Sequence, residues 1–186
     1  MSPSGFARLR LAALLLVGIV AQTTVVPDAR IAGVCPDLML LIAICGGLVG
    51  GPEKGAFLGF GCGFLADLFL QTTPLGLSAL AYCLIGFAVG MLRGRVLREG
   101  WLFAPLVALV ASAAGVVVFV VAGAMVGQSQ LTSGGPRSLA EIASIVGAMN
   151  AVLAFGAIRI VTWAASGWAA PAQSRPGRAD RASLSR

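Results

Sequence analysis

The chain has 186 residues, of which 58% are hydrophobic and only 11% are charged, and its mean hydropathy is +0.95. A soluble domain carries about a quarter charged residues, so this composition excludes an ordinary soluble protein and predicts an all-α polytopic membrane protein. The formal net charge of +6 comes from basic residues scattered over loops, which favours membrane lipid headgroups and argues against a nucleic-acid partner.

Six apolar stretches predict six transmembrane helices in a single membrane domain, residues 1–170. Residues 171–186 are polar and basic, and they predict a disordered cytoplasmic tail. The first apolar stretch, residues 11–26, follows Arg8 and Arg10. A cleaved signal peptide is the alternative for this stretch, but the apolar residues continue past Ala21, so we predict a retained helix.

Pro36 and Asp37 predict the start of the second helix, which runs to Gly50. A proline in the first helical position loses no hydrogen bond, and a carboxylate in the first turn complements the helix dipole. The helix would be about 22 Å long, shorter than a hydrocarbon core of about 30 Å. We therefore expect a locally thinned or protein-lined environment, and a re-entrant hairpin of helices two and three is the alternative.

The third helix begins at Pro52 and runs to about residue 70, and a stripe of small residues lies along one side of it. Gly55, Gly59, Gly63 and then Asp67 recur at steps of four, and this spacing places them along one side of a helix. Small residues let helices approach closely in a membrane. The stripe predicts either packing within the chain or docking against a partner helix.

Asp67 is an acidic residue inside an apolar helix, and a carboxylate at a helix centre costs about 2.5–3.5 kcal/mol on insertion scales. Two interpretations follow. The residue forms a partner-binding, ion or proton site, or it is a structural carboxylate that bonds the start of helix four or a nearby hydroxyl.

Residues 71–74 predict a turn, in which Thr73 caps the fourth helix and Pro74 takes its first position. The fourth helix is expected to end near residue 92, before a basic loop at residues 93–99. The fifth helix is predicted over residues 101–126.

A polar loop is predicted over residues 128–137, and it ends at a capping box formed by Ser138 and Glu141. The sixth helix is predicted to run from Ser138 to about Trp163.

Basic residues set the predicted orientation of these six helices. Ten lie on one side: Arg8, Arg10, Lys54, Arg93, Arg95, Arg98 and the four tail arginines; Arg30 and Arg137 alone lie on the other. The positive-inside rule then places both termini in the cytoplasm.

The chain offers no pattern that predicts catalysis. It has no histidine, no CxxC pair and no acidic pair at a spacing that suggests a catalytic dyad. We therefore predict that the protein is not an enzyme and needs no metal or cofactor.

The order and spacing of several short motifs resemble one family. Pro36-Asp37-Leu38 opens a helix, Gly55, Gly59, Gly63 and Asp67 follow, and Thr73-Pro74-Leu75-Gly76-Leu77 comes next. This arrangement resembles the rod shape-determining protein MreD family over residues 36 to 95, and the basic tail departs from it. The residues that the resemblance marks as a partner interface or structural motif are Pro36, Asp37, Gly55, Gly59, Gly63, Asp67, Pro74, Leu75 and Gly76.

The resemblance implies a multi-pass protein of the bacterial cytoplasmic (inner) membrane that supports lateral peptidoglycan synthesis and rod shape as a non-enzymatic scaffold. The implied partners are MreC, a single-span protein with a periplasmic coiled coil, and also MreB, RodA and a class B penicillin-binding protein. The family fold is similar to the six-helix substrate-binding subunits of energy-coupling-factor vitamin transporters. This similarity supplies the alternative function, a substrate-binding subunit of a vitamin-type transporter.

Overall fold

A computed structural model describes residues 3–28, 30, 33–70, 75–99, 103–128 and 135–166. The described chain folds into six α-helices and one short 3-10 turn at Val26–Asp28. The helices are α1 (Pro3–Thr24), α2 (Leu38–Gly50), α3 (Pro52–Leu70), α4 (Leu77–Glu99), α5 (Phe103–Met125) and α6 (Gly135–Ala164). The prediction of an all-helical protein with six helices is confirmed.

Four of the described helices, α1, α4, α5 and α6, are long and apolar enough to cross a membrane. Helix α2 is apolar but shorter, and α3 carries three charged residues, Glu53, Lys54 and Asp67, within its 19 residues. Of the six predicted spans, four are therefore supported by length and composition together, and α2 is a shorter apolar helix.

Helix α2 is the centre of the bundle and packs against each of the other five helices. Ten consecutive residues, 39–48, are buried, so all sides of the helix lie against protein. A helix that is apolar all round fits such an enclosed position, because no side has to face water. This enclosure explains how a helix about 20 Å long is accommodated, and the expectation of protein-lined surroundings holds.

The first and last helices meet at one end of the bundle. The Arg10 Nη1 donates to the Ser166 Oγ at 3.1 Å, and the Arg10 guanidinium lies 4.8 Å from the centre of the Trp163 ring. The start of α2 bonds to Gln22 near the far end of α1, so α2 ends beside the start of α1. The turn between α2 and α3 therefore lies at this same end, together with the last turns of α4, since Gly90 packs against Pro52. We call this the basic end, because Arg8, Arg10, Lys54, Arg93 and Arg95 all belong to it.

Several predicted boundaries were wrong. Helix α1 begins at Pro3 rather than at residue 11, and α4 continues through residues 93–99, which the sequence predicted as a loop. Arginine and leucine are good helix formers, so a basic segment at a membrane surface extends the helix instead of ending it.

The predicted capping box was also wrong. Helix α6 begins at Gly135, so Ser138 lies inside the helix, and the Ser144 hydroxyl donates to the Glu141 carbonyl within a continuous helical turn. Pro136 lies in the first turn, where a missing N–H has no intrahelical partner to lose.

Helix α4 begins at Leu77 and not at Pro74. Gly76 has a φ of +101°, a left-handed conformation that a helix cannot include, and its carbonyl accepts the first helical bond from the Leu80 N–H. Thr73 and Pro74 lie outside the described residues.

Candidate functional site

Asp37 is the N-cap of α2 rather than a residue of its first turn, which corrects the prediction. Its backbone is extended, with φ −108° and ψ 93°, and one carboxylate oxygen accepts the Leu40 N–H at 2.9 Å. The other carboxylate oxygen accepts a hydrogen bond from the Tyr82 hydroxyl of α4. Pro36, which was predicted as the first helical residue, lies before the cap and is buried. An aspartate in extended conformation can satisfy a free N–H of the first turn, and this geometry outweighs the dipole argument for a position inside the helix.

Asn150 of α6 forms hydrogen bonds with the backbone of Asp37 and with Ser112 of α5, and it thereby links the start of α2 to both helices. Its side-chain oxygen accepts the Asp37 N–H at 3.3 Å, and its amide nitrogen donates to the Asp37 carbonyl at 3.2 Å. The same nitrogen donates to the Ser112 hydroxyl of α5 at 2.9 Å. Asn150 and Ser112 are both fully buried, so these bonds replace contacts that water would otherwise make.

Gln22 of α1 forms hydrogen bonds with the backbone on both sides of Asp37. Its amide nitrogen donates to the Pro36 carbonyl at 3.2 Å, and its oxygen accepts the Leu38 N–H at 2.8 Å. Five helices therefore meet at the first residues of α2. We call this set of hydrogen-bonding side chains the polar junction: Gln22, Asp37, Tyr82, Ser112 and Asn150.

Sequence reasoning selected Asp37, but it missed the roles of Gln22, Ser112 and Asn150. The available signal was that Ser112 and Asn150 are single polar residues in long apolar runs, and that Gln22 begins a short polar stretch at the end of one. Such residues pair across helices, because lipid offers no hydrogen bonds. Their mutual contacts could not be read from spacing, since they lie on different helices.

A cavity of about 270 Å³ lies beside the polar junction. Gln22, Asp37 and Tyr82 supply its polar lining, and the rest is apolar: Val34, Cys35, Pro36, Met39, Ala66, Val116, Ile142 and Val146. Val116 and Val146 are each one turn from Ser112 and Asn150, away from the basic end. The cavity therefore fills the part of the bundle that the short α2 does not reach.

The glycine stripe of α3 faces α4. A Cβ added at Gly55, Gly59 or Gly63 would collide with the backbone of α4, at Gly86, Tyr82 and Ser78 respectively. A Cβ at any of these positions would come closer than 3.0 Å to a backbone carbonyl oxygen, a separation that real Cβ atoms essentially never show. Glycine is required here because the two backbones are in direct contact.

Asp67 bonds the start of α4, at the end of the hairpin opposite to the basic end. Its carboxylate accepts the N–H groups of Gly76 at 2.8 Å, Ser78 at 3.1 Å and Ala79 at 3.3 Å. The residue is 3% exposed. This is the geometry of the structural interpretation given above, in which the carboxylate satisfies N–H groups that a helix start leaves without intrahelical partners. Leu75 is exposed in the turn between the two helices.

Among the described residues, no group of three or more His, Cys, Asp or Glu side chains could hold a metal ion. All four cysteines, Cys35, Cys45, Cys62 and Cys83, are free. The contacts described above fix helices relative to one another by packing and hydrogen bonding.

An all-helical bundle with apolar spans and buried polar contacts between helices defines a helical membrane protein. A family model described as rod shape-determining protein MreD matches residues 6–153. The chain belongs to the MreD family, and family membership implies a role in determining rod shape. Searches of curated proteins and of solved structures each returned no match.

Proposed function

We propose that this protein is a non-enzymatic scaffold of the bacterial cell-elongation machinery that binds MreC and supports lateral peptidoglycan synthesis. The observation that carries the proposal is the family match over residues 6–153. MreB, RodA and a class B penicillin-binding protein are the further proposed partners. The arrangement of the bundle supports a scaffold, because its buried polar groups hold helices together.

The proposed location is the bacterial cytoplasmic membrane, which the chain crosses several times with both termini in the cytoplasm. The contact between Arg10 and Ser166 joins the start of α1 and the end of α6, in agreement with termini on the same side. Five basic residues of the described chain lie at that end, and the positive-inside rule assigns it to the cytoplasm.

We propose that the motif residues act on partner binding by holding the hairpin of α3 and α4. The glycine stripe and Asp67 fix the two helices, and the opposite side of α3 then presents exposed phenylalanines. Phe57, Phe60 and Phe64 recur at helical spacing, and the rings of Phe60 and Phe64 stack with centroids 6.1 Å apart. This side is the proposed surface for the membrane span of MreC.

Extraction of the tagged chain from native membranes in mild detergent, followed by mass spectrometry, tests the proposal. Stoichiometric recovery of a single-span protein with a periplasmic coiled coil is the expected result. Recovery of a pair of ATPases with a second integral subunit would contradict the scaffold and indicate a transporter.

Variants of the chain, tested in the same extraction experiment, show whether α3 forms the partner-binding surface. Phe57→Ala removes an aromatic ring that is 74% exposed and should lower recovery of the partner without altering the fold. Gly59→Leu should lower recovery by separating α3 from α4. Gly156→Leu is the matched control, because a side chain there meets nothing within 4 Å. Equal recovery from all three variants would remove α3 from the interface.

The transporter-subunit alternative has one observation in its favour, the cavity beside the polar junction. Its tyrosine, glutamine and carboxylate are the kind of lining that small ligands use in an otherwise apolar pocket. Mass spectrometry of small molecules released from the purified protein tests this alternative. A stoichiometric compound lost in Tyr82→Phe would favour it, and a preparation free of bound compounds would count against it.

A further inference from the structure

A lateral groove between α4 and α5 is the starting point. It has a volume of about 340 Å³ and opens on the side of the bundle. Its lining is entirely apolar: Ile85, Ala88, Val89 and Leu92 of α4, and Leu106, Val107, Val110, Ala111 and Ala114 of α5. Three of the lining residues are alanines, and their small side chains leave the space open.

Two arginines flank the groove where it reaches the basic end. Arg93 follows Leu92 directly, and Arg95 lies two residues further along the same helix. On a helix, these positions fall on opposite sides of the line through Leu92 and Val96 that continues the groove. The basic end of the groove therefore lies next to two basic residues of α4, neither of which is part of its lining.

Arg93 has a hydrogen-bonding group that the described protein leaves unused. Its Nε is buried, and no described residue accepts a hydrogen bond from it. The guanidinium lies close to the turn after α2, since a Cβ at Gly51 would be 3.7 Å from the Arg93 Nη1. The Arg93 side chain is only partly buried, and a phosphate oxygen can approach its terminal nitrogens and form charge-assisted hydrogen bonds with them.

We propose that the groove between α4 and α5 holds one acyl chain of an anionic phospholipid whose phosphate binds Arg93. The apolar lining suits a hydrocarbon chain, and the guanidinium offers several N–H donors to phosphate oxygens. The charge at one end alone distinguishes this occupant from the bulk lipid that covers the rest of the bundle. The proposal is independent of MreC binding, because it concerns the purified chain.

Native mass spectrometry of the full chain in neutral detergent tests the proposal. Phosphatidylglycerol and phosphatidylcholine with the same acyl chains are titrated in parallel. The wild-type protein should retain phosphatidylglycerol about fivefold better, since one basic residue near a membrane surface contributes about that factor. Equal retention of the two lipids would overturn the proposal.

Matched variants distinguish the contribution of the lipid headgroup to retention from that of the acyl chain. Arg93→Gln should abolish the preference for phosphatidylglycerol, whereas Arg30→Gln removes an exposed arginine outside the groove and should leave it intact. Ala114→Phe fills the groove and should reduce retention of both lipids, whereas Ala124→Phe adds the same ring to an exposed alanine outside it. No difference within either pair would overturn the assignment.

Two further measurements apply if the variants above fail to fold, or if a protein rather than a lipid occupies the groove. Arg93→Lys keeps the charge but loses the forked guanidinium donors, and it should retain a reduced preference for the anionic lipid. A photocrosslinking residue at position 114, used in intact membranes, should attach to lipid. A discrete crosslinked protein in place of lipid would overturn the proposal and make the groove a docking site for another chain.

Discussion

At the scale of single residues, two carboxylates, Asp37 and Asp67, have the same task at two helix starts. Asp37 accepts the Leu40 N–H of its own helix, and Asp67 reaches from α3 to three N–H groups at the start of α4. Helix starts inside a bundle have free N–H groups that water cannot reach. Each carboxylate therefore replaces water at a place where lipid and protein exclude it.

Removing the Asp67 carboxylate should destabilise the protein. Asp67→Ala leaves the N–H groups of Gly76, Ser78 and Ala79 without their acceptor, and we expect a loss of about 1–3 kcal/mol in the free energy of unfolding. Denaturant unfolding in detergent measures the loss. Asp28→Ala is the control, since Asp28 is exposed. Equal stability of the two variants would contradict the structural role of Asp67.

The bond between Asn150 and Ser112 should appear as a coupling energy. Asn150→Leu, Ser112→Ala and the double variant form a cycle in which the second change costs less once the first is made. We expect a coupling of about 0.6–1.7 kcal/mol, the range of polar contacts between membrane helices. Additive effects in thermal unfolding would show that the two side chains act separately.

At the scale of helices, the loss of stability caused by a substitution in the hairpin of α3 and α4 should depend on which glycine of α3 is changed. Gly59→Ala places a methyl group against the Tyr82 carbonyl and should cost about 1–3 kcal/mol. Gly61→Ala lies two residues away, where a Cβ meets only the Leu15 Cδ1 at 3.9 Å. That change should be neutral or stabilise the protein by up to about 1 kcal/mol, because alanine favours a helix over glycine. Unfolding measurements in the same detergent compare the pair.

The sequence predicted the helices better than their ends and their contacts. Hydropathy located all six helices, because each needs a long apolar run to lie in lipid or in the core. The start of α4 was missed because a left-handed Gly76 is not visible in a run of turn residues. The continuation of α4 to Glu99 was missed because a change from apolar to basic residues marks the membrane surface and not a helix end.

The candidate site could be predicted only in part for a related reason. The spacing of Gly55, Gly59 and Gly63 identified a close helix contact, but spacing does not say which helix is the neighbour. Hydrogen bonds within the polar junction join residues up to 113 positions apart in the chain, as the bond between Asp37 and Asn150 shows. A single sequence, taken by itself, contains no information about such pairs.

At the scale of the whole molecule, the arrangement predicts where the two ends of the bundle lie. A reporter that is active only in the cytoplasm should work after residue 166 and fail between α5 and α6. A periplasmic reporter should give the reverse pattern. The expectation follows from the positive charge at the basic end and from the contact between Arg10 and Ser166. Activity of one reporter at both positions would contradict the arrangement.

The enclosure of α2 has a consequence for biosynthesis. The helix leaves the ribosome second, but its first residues find a hydrogen-bonding partner in Asn150, which is made more than a hundred residues later. Until α6 arrives, the Asp37 backbone remains incompletely bonded inside an unfinished bundle. We expect a chain that stops before α6 to leave this polar backbone without its partner in the membrane, and therefore to be degraded faster than the full chain.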